Sequence, residues 1–128
     1  MKFVFSDAAE HSFPAEPIGC KPVVLIATST AKIRHYYSLT DDGRLFFSGE
    51  DGVEEPEKLA GALEWIKKHA EIWAPVIDVR SPNAERFFFA DGRHTFVALE
   101  RSGHACIEVA VPQDRHKELL DLLSCDHT

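Results

Sequence analysis

Cysteine is scarce in this chain, and the few cysteines do not pair by spacing. Cys20, Cys106 and Cys125 make an odd set with no Cys-x-x-Cys, which argues against a four-ligand zinc module and points to reduced thiols in a cytoplasmic protein. Long apolar runs are missing as well: the longest is Val-Val-Leu-Ile-Ala at 23–27, far short of a membrane span, so no membrane insertion is expected. The opening residues, MKFVFSDAAEHSF, hold one lysine and an apolar stretch that ends at Ser6, too short for the core of a secretory leader. Nor is there an excess of positive charge. With 14 basic and 21 acidic residues the formal net charge is -7, so the overall field repels DNA, RNA and anionic lipid, and any contact with a polyanion has to be local.

What is present suffices for one core. A length of 128 residues with 45% hydrophobic content predicts a single domain over 1–128. Residues 1–22 read as an irregular N-terminal arm with room for a first strand, because Pro14, Pro17, Gly19 and Pro22 interrupt any periodicity. Residues 22–27 and the aromatic segment 32–39 read as strands, and Asp42-Gly43 between 32–39 and 44–48 reads as a β-hairpin turn that puts His35 and Tyr37 on one face and Tyr36 on the other. An aromatic hairpin of that kind would suit a protein interface.

From residue 57 the period changes. Leu59, Ala62, Leu63, Ile66 and Ala70 recur at helical spacing, with acids before them and Lys67, Lys68 and His69 after, which predicts an amphipathic helix oriented as its dipole prefers. Trp65 lies beside that stripe, partly exposed, and Trp73 follows the helix end. Residues 75–79 and 86–90 predict an antiparallel strand pair around a turn at Pro82-Asn83. A helix follows over 93–102 with Gly103 as its stop, then a strand over 106–111 and a closing leucine-rich helix, with the polar tail Ser-Cys-Asp-His-Thr expected to fray. The order indicates an α+β domain with a mixed sheet.

The segment with most chemical content is Asp91-Gly92-Arg93-His94-Thr95. A strand that turns directly into a helix leaves backbone N–H groups at the helix start, and these attract anions. Gly92 permits a tight turn, Arg93 offers a planar fork for phosphate, His94 a group that titrates near neutrality, and Thr95 a hydroxyl. The same residues also allow a plain structural reading, with Asp91 as helix cap and Arg93 paired to a nearby acid. Both stay open on spacing alone. Glu71, between the helix and the strand at 75–79, is a second candidate carboxylate, and Glu100 reads as surface. His94, His104 and Cys106 lack a fourth partner, so no metal site is expected.

Residues 74–79 (APVIDV) and 85–112 (ERFFFADGRHTFVALERSGHACIEVAVP) resemble the core of the ParB/sulfiredoxin superfamily, in which a helix, two strands, a glycine-containing turn, a further helix and a strand follow in order. The resemblance covers about 57–112, and DGRHT with the acidic balance looks most like the plasmid fertility inhibition factors, which suppress conjugative or oncogenic DNA transfer. It implies binding to a component of the transfer machinery, the coupling protein or the relaxase complex, with nucleotide or nucleic-acid phosphate held at Gly92, Arg93, His94 and Thr95. It also permits ATPase or DNase activity with Asp91 and Glu71 as catalytic carboxylates and with ATP and magnesium as cofactors. Two departures are informative. Arg93 stands where sulfiredoxins carry their catalytic cysteine, which excludes sulfinic acid reduction, and Gly92-Arg93-His94-Thr95 replaces the Gly-Glu-Arg-Arg of the partitioning proteins, which argues against a centromeric nucleotide switch.

Overall fold

The computed structural model describes residues 1–15, 18–80 and 86–125. The turn expected at Pro82-Asn83 and the last three residues of the polar tail lie outside the described residues. The chain forms β1 (Lys2–Val4), α1 (Asp7–His11), β2 (Val23–Ser29), α2 (Thr30–Ser38), α3 (Asp41–Phe47), α4 (Pro56–Lys68), β3 (Glu71–Trp73), β4 (Val76–Arg80), β5 (Arg86–Asp91), α5 (Arg93–Arg101), β6 (Cys106–Pro112) and α6 (His116–Leu123), with short 3-10 turns before α4 and α6. Four strands make one mixed sheet in the order β2-β6-β4-β5. β2 runs antiparallel to β6 from Val23↔Pro112 to Ser29↔Cys106, β6 is parallel to β4, and β4 is antiparallel to β5. A parallel two-stranded ladder joins β1 to β3 from Lys2↔Glu71 to Val4↔Trp73. The α+β class and the mixed sheet are those expected.

The aromatic hairpin is not there. Residues 32–39 and 44–48 fall in the two helices α2 and α3, and Asp42-Gly43 sits inside the first turn of α3. Two local signals outweigh the aromatic content. Thr30, Ile33 and Tyr37 are the buried residues of α2, at helical spacing. Ser29 and Thr40 cap the two helices, their hydroxyls accepting from the N–H of Lys32 at 3.2 Å and of Gly43 at 2.9 Å. Tyr37 is consequently core, wholly buried among Phe46, Phe87 and Phe89, and no aromatic hairpin face exists to carry an interface. The N-terminal arm also differs from expectation, because Ser6 caps the five-residue helix α1 through Ala9 N–H. Five residues are too few to show a period.

Of the other elements, β3 has no counterpart in the sequence reading and α4 stops at Lys68, short of Ala70, while the rest follow their patterns. Pro56 stands in the first turn of α4, where its missing N–H has no cost, and Lys67 and Lys68 close it. Gly103 ends α5 with φ +88, and His104 N–H returns to the Leu99 carbonyl at 3.1 Å. Phe96, Val97, Ala98 and Leu99 of α5 are all buried, so this helix is embedded between α4 and the sheet.

The thiols differ as well. Cys106 and Cys125 are disulfide-bonded, with Cα atoms 5.8 Å apart, and Cys20 is free and exposed. The reason is tertiary: at the end of β2, Ser29 pairs with Cys106 while Thr28 bridges Ser124. The expectation of three reduced thiols is thus corrected for Cys106 and Cys125, and the cysteines no longer decide the compartment. Among the described residues no helix is long and apolar enough to cross a membrane.

Candidate functional site

The turn after β5 is built on a glycine that admits no replacement side chain. Gly92 has φ +86, and a Cβ there would stand 2.9 Å from the Pro75 Cα. Gly92 itself occupies the cap position of α5, and no side chain caps the helix. Asp91, half of the structural alternative, is therefore not the cap; it ends β5, opposite Val76, and is exposed. The start of α5 thus has no side-chain cap, and its backbone N–H groups and the positive end of its dipole are not answered by a capping oxygen.

These residues line a cleft of about 520 Å³, within the range of small-molecule sites. One wall is the segment from Phe89 to Thr95. The rest of the lining comes from Glu55 just before α4, from Lys58, Ala62, Trp65 and Ile66 of α4, and from Ile72 and Trp73 of β3. Asp91, Gly92, Arg93, His94 and Thr95 are therefore brought together, as their adjacency in sequence requires. Glu71 is not with them: its exposed carboxylate lies 4.0 Å from Lys2 Nζ, and its backbone carbonyl accepts the Trp65 indole N–H at 3.2 Å. Glu100 is bound to Arg34 at 2.8 Å. Among the described residues no group of three or more His, Cys, Asp or Glu gathers as a metal site.

Arg93 is held from behind. Its guanidinium pairs with Glu54 and lies 3.7 Å from Asp42, and it covers the Phe46 ring at 4.7 Å. Asp42 in turn accepts the Tyr37 hydroxyl at 2.7 Å. Burial opposes the charge on Arg93, but Tyr37, Glu54 and Asp42 reverse that effect and hold it above its ordinary value. Burial first, and then the bond to Asp42, push the Tyr37 hydroxyl far up. Arg93 therefore ties α5 to α3 and to the loop before α4, and two carboxylates already neutralise it.

His94 has the opposite character. Its Nε2 is buried without a hydrogen-bond partner, and its ring meets Phe46 edge-on at 5.0 Å. Burial, and then the Arg93 charge, lower its affinity for a proton from the ordinary 6.5. Glu55 is held below its usual value by its bond to Lys58, 2.9 Å away. The cleft near the turn thus brings together His94, the Lys58–Glu55 ion pair, Asp91 and the uncapped start of α5. The depressed His94 has a consequence for folding. The unfolded chain protonates this residue near 6.5 and the folded protein only at lower pH, so the stability it contributes is full above that value and is lost as pH falls through the window. Denaturant unfolding from neutral to mildly acidic pH should show wild type losing more stability than His94→Gln; parallel profiles would contradict it.

Comparison with known proteins adds no identity. No protein-family model, curated protein or solved structure matches this chain. The reading of the cleft therefore rests on its own chemistry. Sequence reasoning found the turn but missed Lys58, Glu55, Trp65 and Trp73 as its neighbours. Their spacing on α4 shows that Glu55, Lys58, Ala62 and Trp65 share a face, but nothing local shows what that face meets.

Proposed function

We propose that the cleft binds the phosphate of a nucleotide or of nucleic acid, and that the protein is a ParB/sulfiredoxin-like fertility inhibition factor. In this role it lowers conjugative DNA transfer by occupying the coupling protein or the relaxase complex in the donor cell. The observation that carries the reading is that residues 91–95, the segment on which the resemblance rests, line a ligand-sized cleft at the uncapped start of a helix. Apart from the three-residue β3 that stands between α4 and β4, the order α4, β4, β5, α5, β6 also supports the resemblance. Lys58, His94, Thr95 and the first N–H groups of α5 are the donors for a phosphate, while Arg93 positions the helix that presents them. Because the net charge is -7, such a site suits a single phosphate group or strand end and a protein partner better than it suits broad coating of DNA.

The test is transfer frequency from a donor carrying a mobilisable plasmid, with and without the protein, beside a Lys58→Ala/His94→Gln double variant. Transfer should fall by an order of magnitude or more with the native chain and recover with the variant. Unchanged transfer across several plasmid types would remove the inhibitory role. A second reading, a nucleotide-dependent phosphohydrolase or nuclease, rests on Asp91 and Glu55, whose carboxylates line the same cleft and would hold a magnesium ion beside bound phosphates. Glu71, expected as a catalytic carboxylate, is not among the residues that line the cleft, and Glu55 takes its place in this reading. Magnesium-dependent hydrolysis by the native chain, lost in Asp91→Asn, would favour it over simple binding.

A further inference from the structure

We propose that Trp65 and Trp73 form a stacking shelf for an unpaired nucleobase, so that the cleft takes a nucleotide unit with its base and a terminal phosphate, not phosphate alone. The proposal rests on the phosphate reading of the same cleft. Both indoles line it together with residues 91–95, and both are exposed, at 44% and 59%, although large aromatic side chains are mostly covered in a folded domain. Trp65 is also held in place: its indole N–H donates to the Glu71 carbonyl at 3.2 Å and its ring stacks on His69 at 3.6 Å with an interplanar angle of 11°. The backbone of Trp73 is set by its pairing with Val4.

The two indoles stand 5.9 Å apart at 30°. That is closer than two stacking distances of the kind His69 and Trp65 show, so a further ring cannot enter between them and has to lie on indole surface that His69 leaves uncovered. A fixed aromatic surface that accepts any planar base, beside a polar end, is the arrangement by which proteins hold unpaired nucleotides. An apolar ligand fits less well, because it would strip water from Lys58, Glu55, Asp91 and His94 in the same cleft without replacing their hydrogen bonds. A free nucleotide and the end of a single strand share this chemistry.

The chain contains only these two tryptophans, so intrinsic fluorescence reports on the shelf directly. Nucleoside 5′-monophosphates should quench it saturably, and calorimetry should find ribose 5-phosphate bound about ten-fold or more weakly. Trp65→Ala and Trp73→Ala, at exposed positions and checked for fold by circular dichroism, should bring the nucleotide down to the affinity of ribose 5-phosphate and leave the sugar phosphate unchanged. Trp65→Phe should keep part of the preference. Equal affinity of nucleotide and ribose 5-phosphate for the native chain would overturn the shelf while the phosphate reading stands, and no binding of either probe or of inorganic phosphate would overturn both. A short oligothymidylate bound more tightly than the mononucleotide would assign the shelf to strand ends, and the reverse order to free nucleotide.

Discussion

Gly43→Ala is expected to lower the unfolding free energy by at least about 2 kcal/mol, although alanine is the better helix former by about 1 kcal/mol. The residue lies in α3, and a Cβ built on it would stand 1.8 Å from the Tyr37 carbonyl oxygen and 2.5 Å from its carbon. These are backbone atoms at the end of α2, so no rotamer change relieves the overlap and the two helices must separate. The displacement reaches the site, because α3 carries Phe46 and Asp42, which hold Arg93. Gly61→Ala is the control: it lies in α4 with nothing within 4 Å of its Cβ position and should gain up to about 1 kcal/mol by the same propensity. Chemical denaturation of the two variants should give shifts of opposite sign. Equal shifts would mean that α2 and α3 do not approach as described.

Loss of the Cys106–Cys125 bond is the second large effect. The bond closes a loop of sequence separation 19, and restricting the unfolded chain in this way stabilises by about 3 kcal/mol. Cys106→Ser/Cys125→Ser, or reductant added to the native chain, should lower stability by that amount, with α6 freed first because the bond ties its end to the sheet. A thiol-reactive dye should find one reactive thiol in the native protein, the exposed Cys20, and three after reduction and unfolding. Three thiols without reductant would show that the pair does not form, and would restore the reduced thiols expected from spacing.

Much of the fold was legible because it is local. β2, β4, β5 and β6 announce themselves by short apolar runs, and α4 by a period of 3.6 with matching charges at its ends. The same logic misread α2 and α3, where β-branched and aromatic residues invite a strand and Asp42-Gly43 imitates a hairpin turn. What decided the matter was the burial of Thr30, Ile33 and Tyr37 on one helical stripe and the hydroxyl caps at Ser29 and Thr40. Strand preference reflects packing on a pleated surface more than the backbone itself, and here the available surface was a helical groove. The short α1 had no period to read.

For the site, the division is sharper. By itself the sequence determined that residues 91–95 form a glycine turn leading into a helix, since that depends only on neighbours along the chain. It also determined the face shared by Glu55, Lys58 and Trp65, through the helical repeat. Only the tertiary structure decided that this face lines one cleft with the turn, that Trp73 comes to the same cleft while the Glu71 carboxylate does not, and that Arg93 is taken up by Glu54, 39 residues away. Periods and caps are written in a few adjacent residues, whereas which faces meet is chosen by the burial of apolar surface summed over the whole chain.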